Sequence, residues 1–149
     1  MEGIYARESS YLERYVQVGV AGEKLLRVSF PAAADADSEH DLLDRIFAYF
    51  EGVEDDFDDV NVALTVPTAH RDVLEAVRDI PYGEQVSVDS LAAAAPGLDP
   101  DDPEDAETVR AALAGNPVPL VIPDHRVRDG PSGAPPEVEQ RLRSLEGIR

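Results

Sequence analysis

The chain predicts an α+β fold in two units, and three patterns carry that expectation. Two runs alternate apolar with polar or small residues, as half-buried strands do: Val16, Val18 and Val20, then Leu26, Val28 and Phe30. From residue 38 onward, five apolar stripes recur at helical spacing between proline and glycine stops. A proline-fenced apolar segment, Asn116 to Arg126, separates the last two of those helices. The boundary is expected at 66/67, with residues 1–66 a small α/β unit and 67–149 a helical domain.

Tyr15–Gly19 and Leu25–Phe30 read as a hairpin, joined at Val20-Ala21-Gly22-Glu23. Pro31 to Asp37 is small and acidic, a loop. Ser38, with Asp41 three residues on, is the expected cap of a helix carrying Leu42, Leu43, Ile46, Phe47 and Phe50, which Gly52 ends. Glu54 to Asp59 reads as a solvated acidic loop, and Val60, Val62 and Leu64 as a further strand. Thr68 is the expected cap of a helix with Val73, Leu74 and Val77 inward, closed by the turn Ile80-Pro81-Tyr82-Gly83-Glu84. Ser87 caps a helix with Leu91, Ala92, Ala94 and Ala95, which Pro96-Gly97 stops. Glu104–Ala114 has Val109 and Leu113 on one face and ends at Gly115. The last helix, Glu137–Leu145, turns Val138, Leu142 and Leu145 inward and ends at Gly147. Three short helices with tight connections fit a helix-turn-helix, although any small helical bundle shows the same spacing.

Composition bounds the function. The chain has 149 residues, 31 acidic and 13 basic, for a net charge of −18, and Lys24 is its one lysine. Such acidity is expected of a protein from a high-salt cytoplasm, where at ~1 M salt the Debye length is about 3 Å and self-repulsion is screened. It argues against a general phosphate-binding surface, which needs clustered bases. There is no cysteine, so disulfides, thiolate metal sites and thiol nucleophiles are excluded. His40, His70 and His125 lack ligand spacing, so neither metal nor cofactor is expected. With no signal-like or membrane-length apolar run, a cytoplasmic monomer is expected.

In Asn116-Pro117-Val118-Pro119-Leu120-Val121-Ile122-Pro123-Asp124-His125-Arg126, three prolines fix φ and bar a helix. Leu120-Val121-Ile122 then reads as a short buried strand that delivers Asp124, His125 and Arg126 to one place. The plain alternative is a proline-rich crossover ending in a salt bridge.

This segment resembles the active-site segment of the alkylguanine-DNA alkyltransferases, Asn-Pro-x-Pro-x-x-Ile-Pro-Cys-His-Arg, at every motif position but the nucleophile. Asp124 stands where the resemblance puts the cysteine. Ile80-Pro81-Tyr82-Gly83-Glu84 and the run Ala112-Leu113-Ala114-Gly115-Asn116-Pro117 fall in the same family order, so the likeness is specific from Pro67 onward. It implies a winged-helix-like DNA-binding domain behind a small α/β unit. It also implies that His125 and Glu146 match the residues that, through a water, activate the family's thiol. Asn116 would tie the recognition helix to the active-site segment, and Arg126 and Glu146 would help hold the fold. Ser132 and Gly133 match the pocket lid, but the lid tyrosine falls at Pro131. The arginine that fills the hole left by a flipped nucleotide falls at Glu107, with Arg110 one turn on, and the tyrosine that crowds the phosphate falls at Val88.

Loss of nucleophile, arginine and tyrosine together implies a family member that transfers nothing. Such a protein would be a binding or sensor module in DNA repair, touching DNA weakly and acting through a protein partner. The alternatives are an alkyl-removing enzyme using Asp124 with His125 and Glu146, and a protein-binding scaffold with no nucleic-acid role.

Overall fold

The computed structural model describes residues 3–34 and 38–148. Gly3–Ser9 (β1), Arg14–Ala21 (β2) and Lys24–Ser29 (β3) form an antiparallel sheet in the order β1-β2-β3. β1 runs from the pair Gly3–Val20 to Ser9–Arg14 and was not expected, because Gly3-Ile4-Tyr5-Ala6-Arg7-Glu8-Ser9 has no clean alternation. Val16, Val18 and Val28 point from the sheet into the core, each no more than 3% exposed.

Five helices follow: Asp41–Phe50 (α1), Thr68–Val77 (α2), Val88–Ala94 (α3), Pro103–Ala114 (α4) and Pro136–Glu146 (α5). All five were legible, but two caps were not. Ser38 gives its N–H to Ala6 O of β1 at 2.7 Å, so the chain is still pinned to the sheet there, and His40 caps α1 by accepting from the Leu42 N–H. Thr68 already lies inside α2; Pro67 precedes it and offers no side-chain cap. Ser87 caps α3 as expected, accepting from the Ser90 N–H at 3.1 Å, and Asp102 caps α4. Gly147 ends α5 at φ 77°, the left-handed conformation that glycine adopts without a Cβ penalty. The expected loop Pro31 to Asp37 falls partly outside the described residues, since 35–37 are not among them.

Two expected strands are not strands. Around Val60–Leu64, Asn61 O and the Ala63 N–H bond Leu25 on the free edge of β3, giving one isolated bridge, while Val28 on that edge donates to Pro117 O. Leu120–Ile122 does not extend either. Leu120 sits at φ 80°, the Ile122 N–H returns to Val118 O at 2.9 Å, and the segment coils into a turn closed by a single 3₁₀ turn, Asp124–Arg126. Three prolines leave too few N–H donors for a ladder. Burial was read correctly: residues 118–127 are buried without a break. Nor is Glu54 to Asp59 merely solvated. Phe57 is 1% exposed, and Asp55 and Asp59 both bind Arg45.

One apolar cluster spans both parts of the chain, from Leu12 and Val16 to Val138 and Leu142, and the 118–127 segment runs through it. Val86 pairs with Val127, taking Arg126 O and giving its own carbonyl to the Arg128 N–H, so the approach to α3 is stitched to the buried segment. Among the described residues no helix is long and apolar enough to cross a membrane.

Candidate functional site

Asp124 opens the 3₁₀ turn and is 1% exposed, so its carboxyl group must be met by donors. Three are in place. Ser132 Oγ donates to Oδ1 at 2.6 Å, while the Gly133 N–H and Asn116 Nδ2 reach Oδ2 at 2.7 and 3.0 Å. Asn116 Nδ2 also donates to Ile122 O, and its Oδ1 accepts from the Val118 N–H, which ties the end of α4 to the buried turn. Burial pushes the Asp124 carboxyl above the usual range, although the three donors pull the other way.

The loop that brings Ser132 and Gly133 is tightly folded. The Val88 N–H donates to Asp129 Oδ1 at 2.7 Å, and a Cβ on Gly130 would lie 2.6 Å from Leu113 Cδ1 and 3.3 Å from Val88 Cγ2. A Cβ on Gly133 would collide with the Asn116 carbonyl. The loop therefore lies directly on α3, α4 and Asn116, and only glycine permits that approach.

Behind Asp124 is a second cluster, built around Glu146 at the end of α5. Its carboxylate accepts from His125 Nε2 (2.6 Å), Arg126 Nε (2.8 Å) and Nη2 (3.1 Å), the Gly83 N–H (2.9 Å) and Tyr49 Oη (2.5 Å). Burial alone would raise Glu146, but His125 and Arg126 override it and hold the group at about 2. Burial also works against the Arg126 charge, yet Glu146 and Asp56 raise it; Nη1 meets Asp56 at 2.9 Å and Ile80 O at 2.7 Å. Burial beside Glu146 pushes the Tyr49 phenol far up, which keeps it a donor. With the Nε2 proton committed to Glu146, His125 has only Nδ1 left, and that buried atom has no partner.

Asp124, His125, Arg126, Glu146, Asn116, Ser132 and Gly133 thus converge, with Pro117, Pro119 and Pro123 shaping the turn between them. Val88, Glu107 and Arg110 do not join them. Val88 is fully buried. Glu107 and Arg110 lie on the exposed face of α4, 3.3 Å apart, their side chains 75% and 43% exposed. The sequence reading missed Tyr49, Asp56 and Gly83. Tyr49 falls between Phe47 and Phe50, outside the apolar stripe read for α1, and Asp56 was hidden in an acidic run. Among the described residues no group of three metal-ligating side chains converges.

A three-stranded sheet ahead of a helical domain, with a buried Pro-x-His-Arg turn bound to the last helix, defines a scaffold of the DNA-alkyltransferase class. The family model for the 6-O-methylguanine DNA methyltransferase, DNA-binding domain, matches residues 68–147, and the chain belongs to this family. It is 36% identical over 129 residues to the methylated-DNA–protein-cysteine methyltransferase of Methanopyrus kandleri, covering 82% of this chain and 93% of that one. The corresponding protein of Metallosphaera sedula is 32% identical, covering 83% and 80%. The fold is similar to that of the Mycobacterium tuberculosis OGT in complex with DNA (TM-score 0.72, 22% identity, 97% and 92% covered). It is likewise similar to the Pyrococcus kodakaraensis O6-methylguanine-DNA methyltransferase (TM-score 0.72, 19% identity, 98% and 100% covered). The family is one of alkylguanine-DNA alkyltransferases of DNA repair. Its curated members are named for an acceptor cysteine, and this chain has none.

Proposed function

We propose that this chain is a non-transferring member of its family, a binding or sensor module of alkylation repair. The observation that carries the reading is the double engagement of Asp124. Both carboxylate oxygens are held by lid and Asn116 donors in a site 1% open to solvent. A thiolate there would be a soft nucleophile free to attack an alkyl carbon. The carboxylate is a weaker one, and both of its oxygens already accept hydrogen bonds. Two of its three donors, Ser132 and Gly133, are the lid positions that the family resemblance assigns to the base pocket, so Asp124 acts as an internal ligand that keeps the lid shut. His125 and Glu146 have no acceptor to activate.

The matched span supports reading residues 67–149 as the DNA-binding domain, with residues 1–66 an N-terminal α/β unit that shares its core. The complex of the M. tuberculosis relative supports DNA as the ancestral partner. On α4, however, Glu104, Asp105 and Glu107 would meet phosphates, and Arg110 leans on Glu107. Contact with DNA is therefore weak and blind to the lesion. The same acidic face favours a second reading, a scaffold for a basic protein partner.

Incubation with duplex carrying O6-methylguanine, followed by intact-mass measurement, tests the first reading. The expected mass is unchanged, and titration shows no preference for the lesion. A methyl adduct on Asp124, or repeated release of repaired duplex, would replace it with the carboxylate-enzyme reading.

A further inference from the structure

A cleft of about 380 Å³ lies between the β1–β2 turn and the C-terminal half of α1, away from Asp124. Its walls are Tyr11, Phe47 and Phe50, with Glu8 and Glu51 at the rim. Phe50 packs against Tyr11 with centroids 5.9 Å apart and against Phe47 at 5.4 Å, inclined by 33° and 59°, so the three rings form a tilted enclosure rather than a flat stack. This chain has only five tyrosines, four phenylalanines and no tryptophan, so three rings at one opening are a concentration.

The electrostatics there favour a cation. Glu8 and Glu51 are exposed and have no ion-pair partner among the described residues, whereas Glu13 nearby is taken by Arg141. The last turn of α1, which carries Phe47 and Phe50, holds no basic residue. The Phe47 ring already carries one cation: Arg7 lies 5.1 Å over its centroid and is neutralised by Asp44. Ring faces select soft, weakly hydrated cations over small metal ions.

We propose that this cleft binds organic cations of the quaternary-ammonium class, with the head group between Tyr11, Phe47 and Phe50 and the counter-charge from Glu8 and Glu51. The volume matches a small ligand rather than a macromolecular surface. A second cleft, lined by Glu8, Ser9, Ser10 and Glu13, adjoins it and gives room for a chain attached to the head group.

NMR titration of the full chain with choline at ~1 M NaCl tests this, because that salt screens diffuse attraction to the acidic surface. Shifts confined to Tyr11, Phe47, Phe50, Glu8 and Glu51 are expected. The neutral isostere 3,3-dimethyl-1-butanol should bind at least ~10-fold more weakly, the discrimination a cation over ring faces provides. Glu8→Gln, at an exposed position, should weaken choline measurably with the spectrum otherwise unchanged, and Phe47→Leu should weaken it more. A parallel titration with N-acetyl-trimethyllysine amide identifies the source, since tighter binding than choline, with shifts reaching Ser10 and Glu13, marks a modified lysine side chain. Equal binding of the isostere, shifts scattered over the acidic surface, or no binding of either cation would overturn the proposal.

Discussion

Replacing Asp124 with alanine and with asparagine separates an internal ligand from a merely tolerated acid. In Asp124→Ala, the half-buried Ser132 hydroxyl and the N–H of exposed Gly133 can turn to water, but one N–H of buried Asn116 loses its acceptor. A stranded buried donor costs about 1–3 kcal/mol, and the variant should lose about that much. With a slope of about 2 kcal/mol per molar urea, the unfolding midpoint falls by about 0.5–1.5 M. Asp124→Asn keeps one oxygen for the two N–H donors and turns its amide towards Ser132 Oγ, so its loss should stay below about 1 kcal/mol. The pH dependence adds a sign. The folded Asp124 carboxyl is raised above 3.8, so the fold prefers it protonated: the stability it contributes is complete below 3.8 and is lost as pH rises through the folded value. Asp124→Asn, which cannot titrate, should therefore gain on the wild type as pH rises. Urea unfolding from pH 4 to 8 reads both effects. Equal losses for the two variants would refute the clamp, and a wild type that gains on Asp124→Asn with rising pH would show that the three donors outweigh burial.

The other predictions follow from the same contacts. Glu146 is lowered from 4.5 to about 2, so its stabilisation is present above pH 4.5 and lost as pH falls towards 2, a loss of about 3 kcal/mol at 1.36 kcal/mol per pH unit. Acid unfolding should show it, and the Glu146→Gln variant should lack that slope while starting about 3–5 kcal/mol less stable at pH 7, with Arg126 left underpaired. Tyr49→Phe removes one of five donors to Glu146 and should cost only about 1–2 kcal/mol by urea unfolding. Gly133→Ala forces the lid off Asn116, so amide hydrogen exchange should accelerate at residues 130–134 and not in α1.

What could be read from the sequence followed from physical locality. Helices were legible because their stripes and stops lie within a few residues of one another, and Ser87 and Gly147 work as caps for that reason. β1 was invisible because its strand character comes from pairing with β2, not from Gly3-Ile4-Tyr5-Ala6-Arg7-Glu8-Ser9 itself. Leu120–Ile122 misled because an apolar β-branched run fits any buried conformation, and the prolines that ruled out a helix also removed the donors of a strand. At the site, the motif residues could be named from their order alone. Tyr49 and Asp56 could not, since they reach Glu146 and Arg126 across 97 and 70 residues of chain.

Those two long-range contacts give the buried cluster a structural role of its own. The family resemblance assigns His125 and Glu146 to preparing a thiol, and this chain has no cysteine. Glu146 nevertheless neutralises Arg126, receives Tyr49 from the sheet-bearing half and holds Gly83 in the turn before α3, while Arg126 fastens Asp56 and Ile80. Removing one charge of such a buried set exposes the other to full desolvation, so the group must be kept or lost together. Glu107 stands under no such constraint, being 75% exposed and paired with Arg110 on the surface of α4. Glu107 can therefore be replaced singly at little cost to the fold, whereas Arg126 and Glu146, which hold its two halves together, cannot.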